Sequence, residues 1–224
     1  KLYYNRYGAA DTENSLKLPK NKDGTKYSIK SMDTEQQHVV LAAVNTILRF
    51  LRNDNKYVPL QATVMGCGGT GKSFIINTII SIIRNMTQMN DTVKVGAPSG
   101  AAAYNVQGST LHRLLGISVS RLEEKNTGTA LENLQECLKH LLCLIIDERS
   151  MLSSKVLAAA ERNVRHSVYK GQNGGEIWGG VPVVLLFGDD YQLWPFIEEG
   201  AIQGYFKMTS TYPLFPSTKS SDTQ

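Results

Sequence analysis

Cysteine is scarce in this chain, and long apolar runs are missing. The 224 residues include three cysteines, Cys67, Cys137 and Cys143, and no two of them have the spacing of a CxxC motif. Their odd number and their spacing argue against a disulfide scaffold and a zinc ribbon, and they favour a reducing, intracellular compartment. The apolar run at residues 141–146 is far shorter than the roughly 18 residues of a membrane span, so we expect no membrane partner.

The chain also has little excess of charge of either sign, because its basic and acidic residues nearly balance. The net charge is +4, and the first thirty residues account for all of it, with seven basic and three acidic side chains. A charge this mild permits a nucleic-acid partner without arguing for one. Residues 1–30 are polar and rich in turn formers, and we interpret them as a flexible basic leader. The chain as a whole is 42% hydrophobic and 20% charged, which is typical of a globular protein.

Helical and extended patterns alternate after the leader. Apolar residues at helical spacing predict an amphipathic helix from a cap at Ser31 or Asp33 to about Leu51. Beyond it the patterns predict strands near residues 62–65, 92–95, 141–146 and 181–187. Helices are predicted between them, after the glycine-rich stretch that follows residue 65 and at residues 100–105, 131–140 and 152–168.

The strand patterns indicate the fold class. The last two predicted strands are continuous apolar runs, which is typical of strands buried on both faces of a parallel sheet. We therefore predict an α/β domain over residues 31–215, with a mainly parallel sheet and helices on both faces. The polar residues 216–224 are predicted to be a disordered tail.

Residues 66–73 match the phosphate-loop pattern GxxxxGK[ST]. They follow a predicted strand and open a predicted helix, which is the context that this motif requires. Glycines let backbone N–H groups turn inward around phosphates, and the helix dipole adds to the attraction. We expect Lys72 to reach the β- and γ-phosphates and the Ser73 hydroxyl to ligate Mg²⁺. The predicted cofactor-binding residues are Gly66, Cys67, Gly68, Gly69, Thr70, Gly71, Lys72 and Ser73.

Two adjacent carboxylates, Asp147 and Glu148, come directly after the apolar strand at residues 141–146. Ligands bind at the carboxyl ends of parallel strands, and two carboxylates there would be costly without a divalent cation. We expect Asp147 to hold Mg²⁺, directly or through water, opposite Ser73. Glu148 would orient or deprotonate the attacking water. Arg149 follows at once, and an ion pair with one of these acids is the alternative.

A second polar turn, residues 188–193, follows the last predicted strand. The same geometry brings Asp189 and Gln192 towards the γ-phosphate. A glutamine there can hydrogen-bond both a water and a phosphate oxygen, so it can report which nucleotide is bound. The predicted catalytic residues are therefore Lys72, Asp147, Glu148 and Gln192.

In this order, the motifs resemble the first motor domain of a superfamily-one helicase. The resemblance is closest to the Pif-type (petite integration frequency) DNA helicases, including those carried by Helitron-type transposons. It spans roughly residues 32–195. It is carried by MDTEQQHVV (32–40), GCGGTGKS (66–73), APSGAAAYNVQGSTLHRLLGI (97–117), LLCLIIDERSML (141–152) and WGGVPVVLLFGDDYQL (178–193).

The resemblance implies a RecA-like P-loop NTPase domain and an ATP-dependent 5′→3′ DNA helicase module with roles in DNA repair, recombination and telomere maintenance. The cofactors are then ATP and Mg²⁺, the partner is single-stranded DNA, and the location is the nucleus or the mitochondrion. By the same resemblance, Gln36 would hydrogen-bond the adenine edge. The residues that would contact DNA are Pro98, Ser99, Gly100, Thr110 and His112.

The sequence departs from the family pattern at four positions. Ser99 stands where Thr is usual, which keeps the hydroxyl. Arg149 stands where a hydrophobic residue is usual, Asp190 where an aromatic is usual, and Trp194 where Pro is usual. These changes bear on the coupling between motifs more than on nucleotide binding.

The family also implies a second RecA-like domain, which supplies an arginine that stabilises charge on the transferring phosphoryl group. Because 31 residues follow Leu193, we expect this partner domain to be missing from the chain. An arginine of this kind is worth about 10³–10⁵ in rate, so we predict slow turnover and no unwinding by the chain alone. Two alternatives stay open: a P-loop ATPase not coupled to DNA, and a non-enzymatic transposon-derived remnant.

Overall fold

The computed structural model of the protein describes residue 29 and residues 32–120, 122–168 and 176–189. Its strands are β1 (Leu60–Met65), β2 (Val93–Ala97), β3 (Ser109–Thr110), β4 (Cys143–Ile146) and β5 (Val183–Gly188). Its α-helices are α1 (Thr34–Leu51), α2 (Lys72–Thr87), α3 (Gly100–Asn105), α4 (Leu111–Leu114), α5 (Gly128–Leu138) and α6 (Ser154–Val168). Short 3₁₀ turns lie at Asn90–Thr92, Arg149–Met151 and Ile177–Gly180.

The five strands form one sheet in the order β1-β5-β4-β2-β3, and each neighbouring pair is parallel. The last residue of β1 is in register with the last residue of β5, Met65 with Gly188. The last residue of β4, Ile146, lies opposite Leu186, two residues before the end of β5. The carboxyl ends of β1, β5 and β4 are therefore neighbours at one edge of the sheet, and those of β2 and β3 continue that edge.

Helices cover both faces of this sheet. Two hydrophobic clusters lie on opposite faces of the sheet, and successive residues of β4 belong to them in turn. Cys143 and Ile145 pack with α1 and α2, whereas Leu144 and Ile146 pack with α4, α5 and α6. The strand side chains are buried on both faces, and each fully buried aliphatic side chain contributes about 1.5–3 kcal/mol. The predicted α/β class with a parallel sheet is confirmed.

The boundaries differ from the predicted ones for local reasons. The helix predicted from residue 152 begins at Ser154, because the Ser153 hydroxyl accepts the Val156 N–H at 3.3 Å and caps it there. The sequence analysis missed β3 and α4, which are two and four residues long and too short for a periodic pattern. In the part of the chain that the structure describes, no helix has the length and apolar character needed to cross a membrane.

Residues 1–28 of the predicted leader and residues 190–224 lie outside the described part of the chain. Gln192, Asp190 and Trp194 belong to the second range, so the roles expected of them stay predictions. The boundaries proposed for the leader, the motor domain and the tail stay predictions as well.

Candidate functional site

The predicted phosphate loop, residues 66–73, joins the carboxyl end of β1 to the start of α2. Gly69 and Gly71 have φ angles of 81° and 83°, a left-handed conformation that residues with a Cβ adopt only with strain. Gly71 is the N-cap of α2, and no side chain of the described residues caps this helix end. The positive end of the helix dipole therefore faces the loop and attracts an anion. Cys67, Gly68 and Thr70 are exposed along the same loop.

Lys72 is held against the backbone of this loop. Its Nζ donates to the Gly66 carbonyl at 2.6 Å and to the Cys67 carbonyl at 3.0 Å. The Thr70 hydroxyl donates to the same Cys67 carbonyl at 2.8 Å. The ammonium group of Lys72 therefore already lies at the predicted phosphate loop. On phosphate binding, phosphate oxygens would replace these two carbonyls as its hydrogen-bond partners.

The carboxylate of Asp147 is buried at the carboxyl end of β4. Its backbone N–H donates to the Gly96 carbonyl of β2 at 2.9 Å, which fixes where the chain leaves the sheet. Burial raises the pKa of the Asp147 carboxyl, and the neighbouring Glu148 carboxylate raises it further. The Glu148 backbone N–H and the Lys72 ammonium act in the opposite direction. Lys72 and Asp147, which lie 75 positions apart in the sequence, therefore act on each other electrostatically.

The predicted magnesium ligands, Ser73 and Asp147, lie on the same edge of the sheet. Ser73 is exposed in the first turn of α2, after β1, and Asp147 follows β4, with β5 between them. Within the described residues, no group of three or more His, Cys, Asp or Glu side chains could hold a metal ion. A hydroxyl and one carboxylate suit Mg²⁺, which keeps several waters and takes substrate phosphates as ligands.

Glu148 leaves the sheet by a sharp turn. Its φ is 52°, a left-handed conformation that is uncommon for a residue other than glycine. Its backbone N–H donates to the Asp147 Oδ1 at 3.0 Å, and its carbonyl accepts the Met151 N–H at 3.1 Å. The turn gives the two consecutive carboxylates different environments, because Asp147 is buried and Glu148 is half-buried.

Arg149 is buried and crosses to the end of β5. A Cβ on Gly188 would come within 2.5 Å of the Arg149 Cγ, so glycine is required where the arginine side chain passes. Asp189, the next residue, is buried too. The arginine that replaces a usual hydrophobic residue therefore lies over β5, at the end of the sheet where Asp189 is buried.

Gln36 reaches the phosphate loop from α1. It is the third residue of this helix and forms a capping box with Asp33: its N–H donates to Asp33 Oδ1 at 2.8 Å, and its Oε1 accepts the Asp33 N–H at 3.4 Å. Its Nε2 donates to the Thr70 carbonyl at 3.0 Å. A Cβ on Gly71 would come within 2.7 Å of this nitrogen. The sequence analysis assigned Gln36 only by resemblance, and the structure places it against the loop.

The predicted DNA-contacting residues lie at the other half of the same edge. Pro98, Ser99 and Gly100 follow β2, whereas Thr110 ends β3 and His112 belongs to α4. The Ser99 hydroxyl accepts the Ala102 N–H at 3.2 Å and caps α3. Among the described residues, nothing lies within 4 Å of the place that a Cβ of Gly100 would take. The structure therefore brings all five residues together at the ends of two paired strands.

Tyr104 is a candidate that the sequence analysis missed. It is 85% exposed, on the same short helix α3 that Ser99 caps. Gly100 and Ala101, one turn earlier, are exposed as well, so the tyrosine ring stands beside a surface of small residues. The signal was a single aromatic residue directly after the small residues 100–103.

The chain is similar to known DNA helicases. A family model described as "PIF1-like helicase" matches residues 31–212. The ATP-dependent DNA helicase RRM3 of Saccharomyces cerevisiae is 28% identical over 190 residues, which cover 82% of this chain and 25% of that protein. The ATP-dependent DNA helicase Pif1 of Campylobacter jejuni is 30% identical over 143 residues, which cover 60% of this chain and 29% of that protein. The chain thus spans about a quarter of the length of these relatives.

Solved structures are similar over the same range. A crystal structure of Bacteroides Pif1 bound to single-stranded DNA matches with a TM-score of 0.51 and 29% identity, covering 81% of this chain and 36% of that one. Another, of Bacteroides Pif1 in complex with ADP-AlF3 and single-stranded DNA, has a TM-score of 0.52 and 29% identity and covers 79% and 36%. These similarities confirm that the α/β domain is of the RecA-like type.

Proposed function

Because the chain belongs to the PIF1-like helicase family, we propose that it is the first motor domain of an ATP-dependent DNA helicase. The domain binds and hydrolyses Mg·ATP and uses the cycle to move along single-stranded DNA; the 5′→3′ direction rests on the resemblance. The observation that carries the proposal is the shared sheet edge of the phosphate loop, which follows β1, and the buried Asp147, which follows β4, with β5 between them. Nucleotides bind at such an edge, which here joins two motifs whose Lys72 and Asp147 are 75 positions apart.

The nucleotide roles follow from where the side chains lie. The loop N–H groups and Lys72 would bind the phosphates, and Ser73 and Asp147 would hold Mg²⁺, which would neutralise charge that develops on the phosphoryl group. Glu148, at the half-buried position beside Asp147, accepts a proton from the attacking water. We propose Gln192, which lies outside the described residues, as the last member of the catalytic set, and, by the family resemblance, Gln36 as the residue that meets the adenine. The family membership supports ATP binding, and the choice of Mg²⁺ as the metal is our proposal.

Single-stranded DNA is the proposed partner of the surface at the ends of β2 and β3. Two structures of Bacteroides Pif1 have been solved with this ligand. The two halves of the edge are joined by the parallel pairing of β4 with β2, which ends in the hydrogen bond from the Asp147 N–H to the carbonyl of Gly96, two residues before Pro98. A change in the position of Asp147 on nucleotide binding would thus be transmitted to β2 and to the DNA surface. A DNA partner implies an intracellular compartment, and we propose the nucleus, with the mitochondrion as the alternative.

The proposed motor needs a second RecA-like domain to complete the nucleotide cleft. The chain covers about 36% of the Bacteroides structures it resembles, so most of such a motor lies outside these residues. An arginine from a second domain is typically worth 10³–10⁵ in rate. We therefore expect the 224 residues alone to bind Mg·ATP, to hydrolyse it slowly and to leave duplex DNA wound.

The test is a titration of the 224-residue chain with a fluorescent ATP analogue and Mg²⁺, with and without an oligo-dT strand. We expect saturable binding, a shift of the affinity by DNA, and a loss of about 10- to 100-fold in Lys72→Ala, because a charge-assisted hydrogen bond contributes about 1.5–3 kcal/mol. Lys139→Ala is the matched control, since Lys139 is an exposed lysine that pairs with Glu136. It should bind like the unchanged chain.

Each other outcome selects one of the alternatives. Binding that DNA does not shift would favour a P-loop ATPase without DNA coupling. An absence of nucleotide binding in the unchanged chain would favour a transposon-derived remnant that keeps the motif without its activity. Robust unwinding by the 224 residues would refute the expectation that a second domain is needed.

A further inference from the structure

The Gln36 side chain connects the start of α1 to the phosphate loop. Its Oε1 belongs to the capping box with Asp33, and its Nε2 donates to the Thr70 carbonyl at 3.0 Å. The helices behind these contacts are fixed to each other, because Val40 and Ile47 of α1 and Ile76 of α2 are fully buried in one cluster. The packing of α1 on α2 therefore fixes the positions of both partners of this hydrogen bond, because Gln36 belongs to α1 and Thr70 lies just before α2.

Peptide geometry determines what this hydrogen bond does to the loop. The Thr70–Gly71 peptide is planar, so its carbonyl and the Gly71 N–H point in opposite directions. When Gln36 draws the carbonyl towards α1, the Gly71 N–H is turned away from α1. Gly71 has no side chain to resist rotation of this peptide, and its φ of 83° is easily left. Without a partner for the carbonyl, the orientation of this N–H would be poorly determined.

We infer that Gln36 is a positioning residue for the phosphate loop: it holds the Thr70 carbonyl outward so that the Gly71 N–H faces the bound phosphate. This inference rests on the proposed nucleotide binding and adds to it a contribution that is independent of the base. The carboxamide of Gln36 has two N–H groups, and Thr70 occupies one of them. The other N–H and the second lone pair of Oε1 can still meet an adenine, so one side chain serves both the base and the phosphates.

The experiment separates phosphate binding from base reading with ligands that differ in the base. Affinities for ATP, GTP and inorganic tripolyphosphate, each with Mg²⁺, are measured by competition against the fluorescent ATP analogue. The variant is Gln36→Met, which keeps the length of the side chain and removes its hydrogen bonds. Gln37→Met is the matched control, because the Gln37 Nε2 donates to the Met32 carbonyl at 2.8 Å and not to the loop. Asp33→Ala is a second control that weakens the cap of α1 alone.

We expect Gln36→Met to weaken the binding of GTP and tripolyphosphate about three- to tenfold, which is the size typical of one hydrogen bond, and that of ATP by at least as much, because the adenine contact is lost too. The two controls should bind all three ligands like the unchanged chain, whatever their melting temperatures. A loss confined to ATP would overturn the inference, because Gln36 would then read only the base. An equal loss in Asp33→Ala would also overturn it, since the stability of the helix end would explain both.

Two results concern the unchanged chain. Binding of ATP together with undetectable binding of GTP and tripolyphosphate would contradict the inference, because the affinity would then come from the base. If none of the three ligands bound, the proposed nucleotide binding itself would fail, and this result differs from every outcome that concerns Gln36 alone.

Discussion

The carboxyl edge of the sheet has two halves that use their polar groups in opposite ways. At the ends of β1, β5 and β4, the side chains are already bonded within the protein: Lys72 to two carbonyls, and Gln36 to a third. At the ends of β2 and β3, the surface is open, with Gly100 and Tyr104 exposed. The first half must exchange internal partners for a ligand, whereas the exposed surface at Gly100 and Tyr104 in the second half is open to a ligand as it stands.

The difference has a consequence for how each half should respond to mutation. Buried or bonded groups at the first half act through position and charge, so single changes there should have large effects on chemistry or stability. An open surface collects its affinity from several contacts of similar size. Changes at the second half should therefore be smaller and confined to DNA binding.

The largest expected effect is that of Glu148→Gln at the first half. The substitution keeps the size of the side chain and removes its capacity to accept a proton, so turnover should fall about 10²–10⁴-fold. ATP affinity should stay within a few-fold, because Glu148 is not predicted to bind the phosphates or Mg²⁺. The measurement is single-turnover hydrolysis of radiolabelled ATP with the protein in excess, in the presence of oligo-dT.

Glu136→Gln is the matched control, since Glu136 is an exposed residue of α5. It should hydrolyse ATP at the rate of the unchanged chain. An unchanged rate in Glu148→Gln would show that Glu148 is not the general base. The first half would then be a binding site only.

Much of the first half could be predicted from the sequence, because its signals are local. Consecutive glycines before Lys72 and Ser73 have few other physical explanations, and two carboxylates after an apolar run mark the end of a buried strand. The contact of Gln36 with Thr70 could not be predicted, since it joins side chain and backbone across 34 positions and depends on how α1 packs on α2.

The second half was harder to predict for a different reason. β3 and α4 are set by pairing with β2 and by the packing of Leu111, which fills the space beside Gly96, and not by any periodicity of their own. In the first half, the passage of Arg149 over Gly188 likewise follows from the neighbouring positions of β4 and β5 in the sheet. Long-range packing decided each of these features.

A smaller effect is expected at the second half from Tyr104→Ala. If the exposed ring stacks on a base, its removal should cost about 1–3 kcal/mol, or roughly 5- to 150-fold in affinity for single-stranded DNA. ATP affinity and melting temperature should not change, because the ring is 85% exposed and lies away from the phosphate loop. Fluorescence anisotropy of a labelled oligo-dT strand at one fixed salt concentration measures the affinity.

Tyr104→Phe is the control that keeps the ring, and it should bind DNA like the unchanged chain. Equal losses in the Ala and Phe variants would assign the effect to the hydroxyl group. If Tyr104→Ala bound DNA normally, the open half would have to contact DNA through its backbone and through Ser99 or Thr110 alone.

The smallest expected effect, on stability, returns to the first half. Asp147→Asn should raise the free energy of unfolding at neutral pH by roughly 1 kcal/mol, because the neutral amide avoids the cost of burying an ionised carboxylate next to that of Glu148. Burial raises the pKa of Asp147, so the folded chain binds this proton more tightly than the unfolded chain does. The stability that this proton confers is fully present below the unfolded carboxyl pKa of about 3.9 and is lost as the pH rises through the raised value.

The advantage of Asp147→Asn should therefore be small in acid, grow through that window and level off at neutral pH, as thermal melts across a pH series would record. Mg·ATP should stabilise the unchanged chain by mass action and the variant much less, because the variant lacks the carboxylate that we propose as a ligand of Mg²⁺. Tyr104→Ala melts at the same temperature as the unchanged chain if the two halves differ as described. If Asp147→Asn were less stable than the unchanged chain at neutral pH, the surroundings of Asp147 would have to stabilise its carboxylate. The predicted magnesium ligand Asp147 would then have partners within the protein, as Lys72 and Gln36 do.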